Sequence, residues 1–257
     1  MQMTSMAQNT AVNINPQKIE SPLVVRITTD PAEIHQALQL RFRVFAEGMG
    51  AQVDGADQGI DKDHFDDHCH HLIVKDLASG SVVGYSRILT SDMLKHTGGF
   101  YSATEFELDN ILLAGKSYME IGRTCVDPDF RSGAVIGLLW SGIGQFMTAY
   151  QIDYLMGCAS ISLADGAAKA LAIIDYLREK HFTAENLRVT PKTGLAKMQV
   201  NLDGKALLPP LLKTYLRIGA KVCGEAFHDR DFNVADVLIL LPRGDINQRY
   251  LRHFAKQ

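Results

Sequence analysis

Paired cysteines, a surplus of either charge, an unbroken apolar run of membrane-spanning length and internal repeats are all missing from this 257-residue chain. Each absence removes a class of protein. The four cysteines (Cys69, Cys125, Cys158, Cys223) lie far apart with no Cys-x-x-Cys pair, and three sit in apolar, strand-like runs. That pattern reads as buried thiols in a reducing compartment rather than a disulfide framework. A net charge of −3 and a pI near 6.3 give no support for a general nucleic-acid binder. The stretch from Ser132 to Ile152 carries no charge, but glycines, Ser141, Gln145 and Gln151 interrupt it. A spanning helix wants about 20 predominantly apolar residues, so this segment reads as a buried helix packed on a sheet. Residues 1–22 are polar and lack the basic start and apolar centre of a secretory signal, and they read as a disordered leader. The span 64–71 is rich in metal-ligand types, yet no second cluster matches it, and zinc usually takes four ligands with a distant second pair. No metal site is expected.

What is present is a core-forming chain, 46% hydrophobic, long enough for one full domain over 23–242 with a basic tail at 243–257. Leu23 to Thr28 reads as a strand. Asp30-Pro31 supplies a helix N-cap and first-turn proline, and the helix should run to about Ala46. Residues 47–68 read as an irregular Gly/Asp-rich loop. His71–Leu77 and Val82–Thr90 form a hairpin across Ala78-Ser79-Gly80-Ser81. A short helix is expected near Asp109–Leu113, then a strand over Ser117–Val126, a helix over 132–150, a strand over Tyr154–Ser160 and a helix over Asp165–Lys180. Residues 181–205 show no period. A proline-led helix to Ile218 and strands near Ala220–Phe227 and Val234–Leu241 close the order. The fold class is α/β of the α+β type, a mixed sheet with helices on both faces.

The chemistry concentrates between Met119 and Gly142. Glu120 and Arg123 interrupt an apolar strand that ends at Asp127-Pro128, after which Arg131-Ser132-Gly133 opens the uncharged helix. Strand, basic glycine turn, helix is an arrangement that offers backbone N–H groups and a positive helix end to a phosphate. A carboxylate just before that turn stands where a group carried on a phosphate-bearing thioester would meet it. N-acylation needs a neutral amine, whereas an α-amine with pKa about 7.7–8.0 is mostly protonated at pH 7. Glu120, desolvated on a strand, is the candidate base; the alternative is a buried ion pair with Arg123 or Arg87. Three residues apart on an unbulged strand, Glu120 and Arg123 point to opposite faces, and a bulge would change that. Arg87 either grips an amino-acid carboxylate with its fork or orders the loop bearing Asp63 and Asp66; Arg123 does one of these or pairs with Glu120. The acids of 54–67, Asp63 and Asp66 among them, either attract a cationic amino acid or form a solvated loop.

Several stretches together resemble one family: Arg41-Phe42-Arg43-Val44-Phe45, Asp63 to Asp67 with Cys69 to Val74, Gly84 to Arg87, Gly98 to Phe106, Glu120 to Val126, Leu139-Trp140, Gly157 to Ser160, Pro209 to Ala220 and Asp229 to Asp236. The chain is similar to the ornithine N-acyltransferase (haemolysin-like) branch of the GNAT N-acyltransferase fold, which is related to acyl-homoserine lactone synthases and long-chain N-acyl amino acid synthases. The resemblance implies an enzyme moving a 3-hydroxyacyl chain from acyl carrier protein, as its 4'-phosphopantetheine thioester, to the α-amine of ornithine, with no bound cofactor. It implies catalytic roles for Glu120 and Arg123, acceptor contacts for Arg87, Arg43, Phe45, Asp63 and Asp66, and donor-phosphate contacts for Arg131, Ser132 and Gly133. Lysine, glutamine or glycine as acceptor, acyl-homoserine lactone synthesis and a non-catalytic lipid-binding role stay open. The glycine of Arg131-Ser132-Gly133 falls one position early for the fold's usual pyrophosphate cradle, which favours a carrier with a single phosphodiester over coenzyme A. The expected location is the cytoplasm with reversible contact to the inner membrane, the tail after Arg243 being the candidate contact with anionic lipid or an acidic carrier.

Overall fold

A computed structural model describes residues 22–246; the expected leader, except Pro22, and the tail beyond Ile246 lie outside the described residues. The elements are β1 (Leu23–Thr28), α1 (Pro31–Phe42), β2 (His70–Asp76), β3 (Val82–Thr90), α2 (Leu94–Thr97), β4 (Phe106–Glu107), β5 (Tyr118–Val126), α3 (Ala134–Ala149), β6 (Tyr154–Ser162), α4 (Ala167–Lys180), β7 (Thr190–Pro191), α5 (Gly204–Leu207), α6 (Pro210–Ile218), β8 (Lys221–Val222), β9 (Phe227–Asp229) and β10 (Val234–Pro242). One mixed sheet runs β1-β2-β3-β5-β6-β10-β8, with β9 also along β10; β4 and β7 make a separate pair. Every neighbour in the large sheet is antiparallel except β5 and β6.

Alternation along the strands sorts the core onto two faces. Leu72, Val74, Met119, Ile121, Leu155, Ala159, Val237 and Ile239 point to one face and pack with α3, α4 and α6. On the other face, Ile73 and Tyr85 pack with Ala37 and Leu40 of α1, while Leu89, Tyr118, Met156 and Leu238 pack with Phe65, Phe100 and Phe106. The polar site fills the gap between these two apolar clusters. Charge-free α3 lies almost on the strands: a Cβ at Gly142 would meet Leu72 and Val25 at 2.9 Å. Among the described residues no helix is long and apolar enough to cross a membrane.

Three local expectations change. The first helix does not simply stop near Ala46: at Arg43 it widens into a π-helical turn to Glu47, which is common at functional sites. Asp109–Leu113 is a series of turns closed by Ile111 N donating to Leu108 O at 2.9 Å, and the short helix sits earlier, at α2. The strand expected over Ala220–Phe227 divides into β8 and β9, because Gly224 between them has φ of +133°, off the extended region.

Candidate active site

The site begins with a break in β5. Tyr85 pairs with Cys125 and Arg87 with Gly122, so Arg123 and Thr124 together face Ser86. This is a bulge, and Arg123 sits in it with φ of +51°. The extra residue cancels the three-residue offset, so Glu120 and Arg123 both face one cavity of about 250 Å³. They do not pair. Glu120 Oε2 accepts from Tyr101 N at 2.6 Å, and Oε1 accepts from Ser102 N at 2.8 Å and Ser102 Oγ at 2.5 Å. Burial pushes the Glu120 carboxyl above its ordinary range, against the pull of Ser102, Tyr101 N–H and Arg87.

Arg123 belongs to a different assembly. Arg41, Arg87 and Arg123 meet Asp61, Asp63 and Asp66, three cations against three anions. Arg41 spans Asp61 at 2.9 Å and Asp66 at 2.6 Å. Arg87 spans Asp63 at 2.6 Å and Asp66 at 3.2 Å. Arg123 reaches Asp61 at 3.1 Å and Asp63 at 3.5 Å. The network fastens the irregular loop after α1 to β3 and β5. Asp63 and Asp66 are therefore turned to arginines, and Arg87 orders their loop. Burial raises the Asp66 pKa, but Arg41 and Arg87 outweigh it and hold the carboxyl low. Arg123 is also sandwiched by rings, 5.2 Å from the Tyr101 centroid and 4.6 Å from that of Phe232.

Of the pair expected at the end of α1, Phe45, within the π-turn, lines the cavity, as does Met49 just beyond that turn. Arg43 does not line it: half exposed, it pairs with Asp127 at 3.3 Å, in the turn before α3. The inward arginine of that segment is Arg41, which sequence reasoning left without a role. The histidines of 64–71 have separate neighbours: His71 Nδ1 is 2.8 Å from Tyr85 OH, and His68 stacks on His96.

Across the cavity stands a group the sequence reading did not single out. Glu105, Asp229 and Asp236, all buried, bring one carboxylate oxygen each within 4.8 Å of one another. Burial lifts the pKa of Glu105 and of Asp236 well above the carboxylate range, and the negative charge of its neighbours adds to the rise. The signal was available: Asp236 is the lone charge in the apolar run from Val234 to Leu241, the same oddity that drew attention to Glu120.

β5 and β6 part beside these acids. Their parallel pairing covers only Tyr118–Glu120 against Tyr154–Met156. At Gly157 the strands almost touch, since a Cβ there would lie 2.4 Å from Ile121 O; beyond it they diverge. A second cavity of about 390 Å³ lies at the outer end of the split, lined by Val126, Phe130, Arg131, Gly133, Ile136 and Pro210 among others. Gly133, with φ of +99°, caps the start of α3, whose first N–H groups have no partner within the helix. Ser132 is exposed beside it. Thr124 and Leu211 line both cavities.

A mixed sheet that splits between two parallel strands, with an Arg-Gly helix start at one end and buried acids at the other, defines a GNAT-type acyltransferase. Residues 40–141 match the acetyltransferase (GNAT) domain family. The chain is 36% identical over 249 residues to an L-ornithine Nα-acyltransferase of Rhizobium meliloti (strain 1021), covering 90% of this chain and 84% of that one. It is 33% identical to the enzyme of the same name from Brucella abortus (strain 2308), over 91% and 89% of the two chains. Its fold is similar to that of an N-acyl amino acid synthase from uncultured soil microbes, with a TM-score of 0.52, 15% identity and coverage of 88% and 93%. The chain belongs to the L-ornithine Nα-acyltransferase family.

Proposed function

We infer that this protein transfers a 3-hydroxyacyl chain from acyl carrier protein to the α-amine of ornithine, giving lyso-ornithine lipid. The acceptor follows from the names of its relatives. The observation that carries the geometry is the continuity of the split, because Thr124 and Leu211 border both cavities. The donor's phosphodiester rests at Arg131, Ser132, Gly133 and the start of α3, and its pantetheine arm runs along the parted edge of β5. The thioester then reaches the inner cavity. Glu120 accepts the proton of the α-ammonium, directly or through water, by the one lone pair its three donors leave open. The neutral nitrogen attacks the thioester carbonyl carbon, a C–N bond forms, the C–S bond breaks, and the second proton lost by the nitrogen is taken up by the leaving pantetheine thiolate. Arg87 and Arg123 lie in the cavity wall, where the part of their charge facing the cavity serves the acceptor carboxylate. Asp63 and Asp66 support them from behind.

Coenzyme A as donor is disfavoured by the early glycine of the turn. An amphipathic product suits a cytoplasmic enzyme that touches the inner membrane reversibly. The test is to incubate purified protein with 3-hydroxyacyl carrier protein or 3-hydroxyacyl coenzyme A, plus ornithine, and analyse products by mass spectrometry. N-acylornithine formed faster from the carrier is the expected result. No N-acyl product from either donor overturns the reaction, and a faster rate with coenzyme A overturns the donor.

A further inference from the structure

Six charged side chains of the site pair among themselves; four acids, Glu120, Glu105, Asp229 and Asp236, have no such partner. None of Glu105, Asp229 and Asp236 has a Lys, Arg or His ion-pair partner within 4 Å among the described residues. Their hydrogen bonds come from neutral donors. Ser160 Oγ gives to Asp236 Oδ1 at 2.6 Å, across the β6–β10 pair. Asp231 N and Phe232 N give to Asp229 Oδ1 at 2.9 and 3.0 Å. Cys158 Sγ gives to Glu105 Oε2 at 3.2 Å. Glu105 Oε1 has no hydrogen-bond partner, although the residue is only 3% exposed. The nearest cation across the cavity, Arg123, is committed to Asp61 and Asp63 and eases Asp236 only from a distance.

Without a cation, burial favours the protonated form of such carboxyls, as the raised pKa of Glu105 and Asp236 reflects, and an arriving cation favours the charged form. The neighbours of this group supply neutral donors but no cation: its walls are Cys158, Ser160, Tyr101 and Phe232, and its open side is the cavity that Asp229 and Asp236 line. The acyl-transfer reading brings a cation there. Ornithine has two nitrogens, and the one not acylated keeps its charge and three N–H donors throughout the reaction, so it needs acceptors inside the same dry site.

We propose that Glu105, Asp229 and Asp236 form the pocket for the side-chain ammonium of the acceptor, and that they make this protein select diamino acids over neutral ones. The inference rests on the acyl-transfer reading of the same cavity. It separates two tasks that four acids share: Glu120, already holding Tyr101 and Ser102, works on the α-nitrogen, and the three-carboxylate group anchors the far nitrogen. It also moves acceptor recognition away from Asp63 and Asp66, whose charge the arginines consume.

The experiment compares ornithine with norvaline, which has the same carbon skeleton without the terminal nitrogen. A site built around a donor rejects the analogue lacking it by several orders of magnitude, so wild-type kcat/KM for ornithine should exceed that for norvaline by about a hundred-fold or more. Asp236→Asn and Glu105→Gln should collapse that ratio toward unity, mainly by raising KM for ornithine, with kcat falling less. Wild-type enzyme without the preference overturns the proposal and needs no variant. Folded variants that keep the preference also overturn it. Activity that is lost on chelation and restored by a divalent cation assigns the three acids to a metal and overturns it too. If ornithine is acylated but not preferred, this inference fails alone; if no N-acyl product forms from any acceptor, the acyl-transfer reading fails with it.

Discussion

Glu120 accepts three hydrogen bonds, and in the proposed reaction the same carboxylate is also the base; the two tasks can be separated through Ser102. The obvious substitution, Glu120→Gln, is a poor probe: it places an N–H where Tyr101 N–H or the Ser102 donors now point, and an unmet buried donor costs about 1–3 kcal/mol. Ser102→Ala removes only the hydroxyl and leaves the carboxylate and both backbone donors. That hydroxyl stabilises the charged form, so its loss raises the Glu120 pKa further above the ordinary range. A base must be ionised to act, and activity falls as pH drops through its pKa. The acid limb of the kcat/KM profile in Ser102→Ala therefore moves to higher pH, while the plateau rate is kept. An acid limb that stays in place in the folded variant would show that another group is the titrating base.

At the scale of elements, the loop between α1 and β2 is held by the arginine-aspartate network rather than by secondary structure of its own, apart from short turns at Ala56–Gln58 and Asp66–His68. Asp66 is its hinge pin, taking both Arg41 and Arg87 and capping Asp63 N at 2.9 Å. Asp66→Asn leaves two buried guanidinium groups short of charge and should cost about 3–5 kcal/mol in urea unfolding. The same pairing sets an acid limit. Asp66 has a folded-state pKa below its unfolded value of about 3.9, so its contribution is complete above that value and disappears as pH falls through the folded pKa. The wild-type denaturation midpoint should fall below pH 4 more steeply than that of the Asn variant. Parallel curves would remove Asp66 from the acid response. The bulge in β5 shows why the sequence undersold this region. Arg123 and Glu120 read as opposite-facing by spacing, and no glycine marks the left-handed residue, because Arg123 itself takes it.

The order of the longer strands and helices was legible because it rests on local signals: Asp30-Pro31 at the start of α1, the turn after Asp76, and the charge-free run of α3. Residues 181–205 show no period and the stretch before β5 suggests only a short helix near Asp109–Leu113, because what joins the two is a long-range pairing, Phe106 with Pro191 and Glu107 with Thr190. Glu105 sits at the edge of that pairing, accepting Lys192 N on its carbonyl at 2.8 Å, which explains why its place in the site could not be read locally. Arg87 and Glu120 were legible as charges in apolar strands, but not which partner each takes. In the proposed route the donor enters along the split between β5 and β6, whose two cavities share Thr124 and Leu211 in their walls. Leu211 is half-buried on α6, outside the buried core of Leu212, Tyr215 and Ile218, so a larger side chain there has room toward the cavity. Leu211→Trp should close the passage and lower kcat/KM for the acyl donor by about ten-fold or more, since a misplacement of 1 Å costs on the order of a hundred-fold. Ornithine, seated at the inner end, should bind with its affinity little changed by calorimetry. Donor kinetics unaltered in a folded Leu211→Trp protein would mean that the thioester reaches the acids by another route.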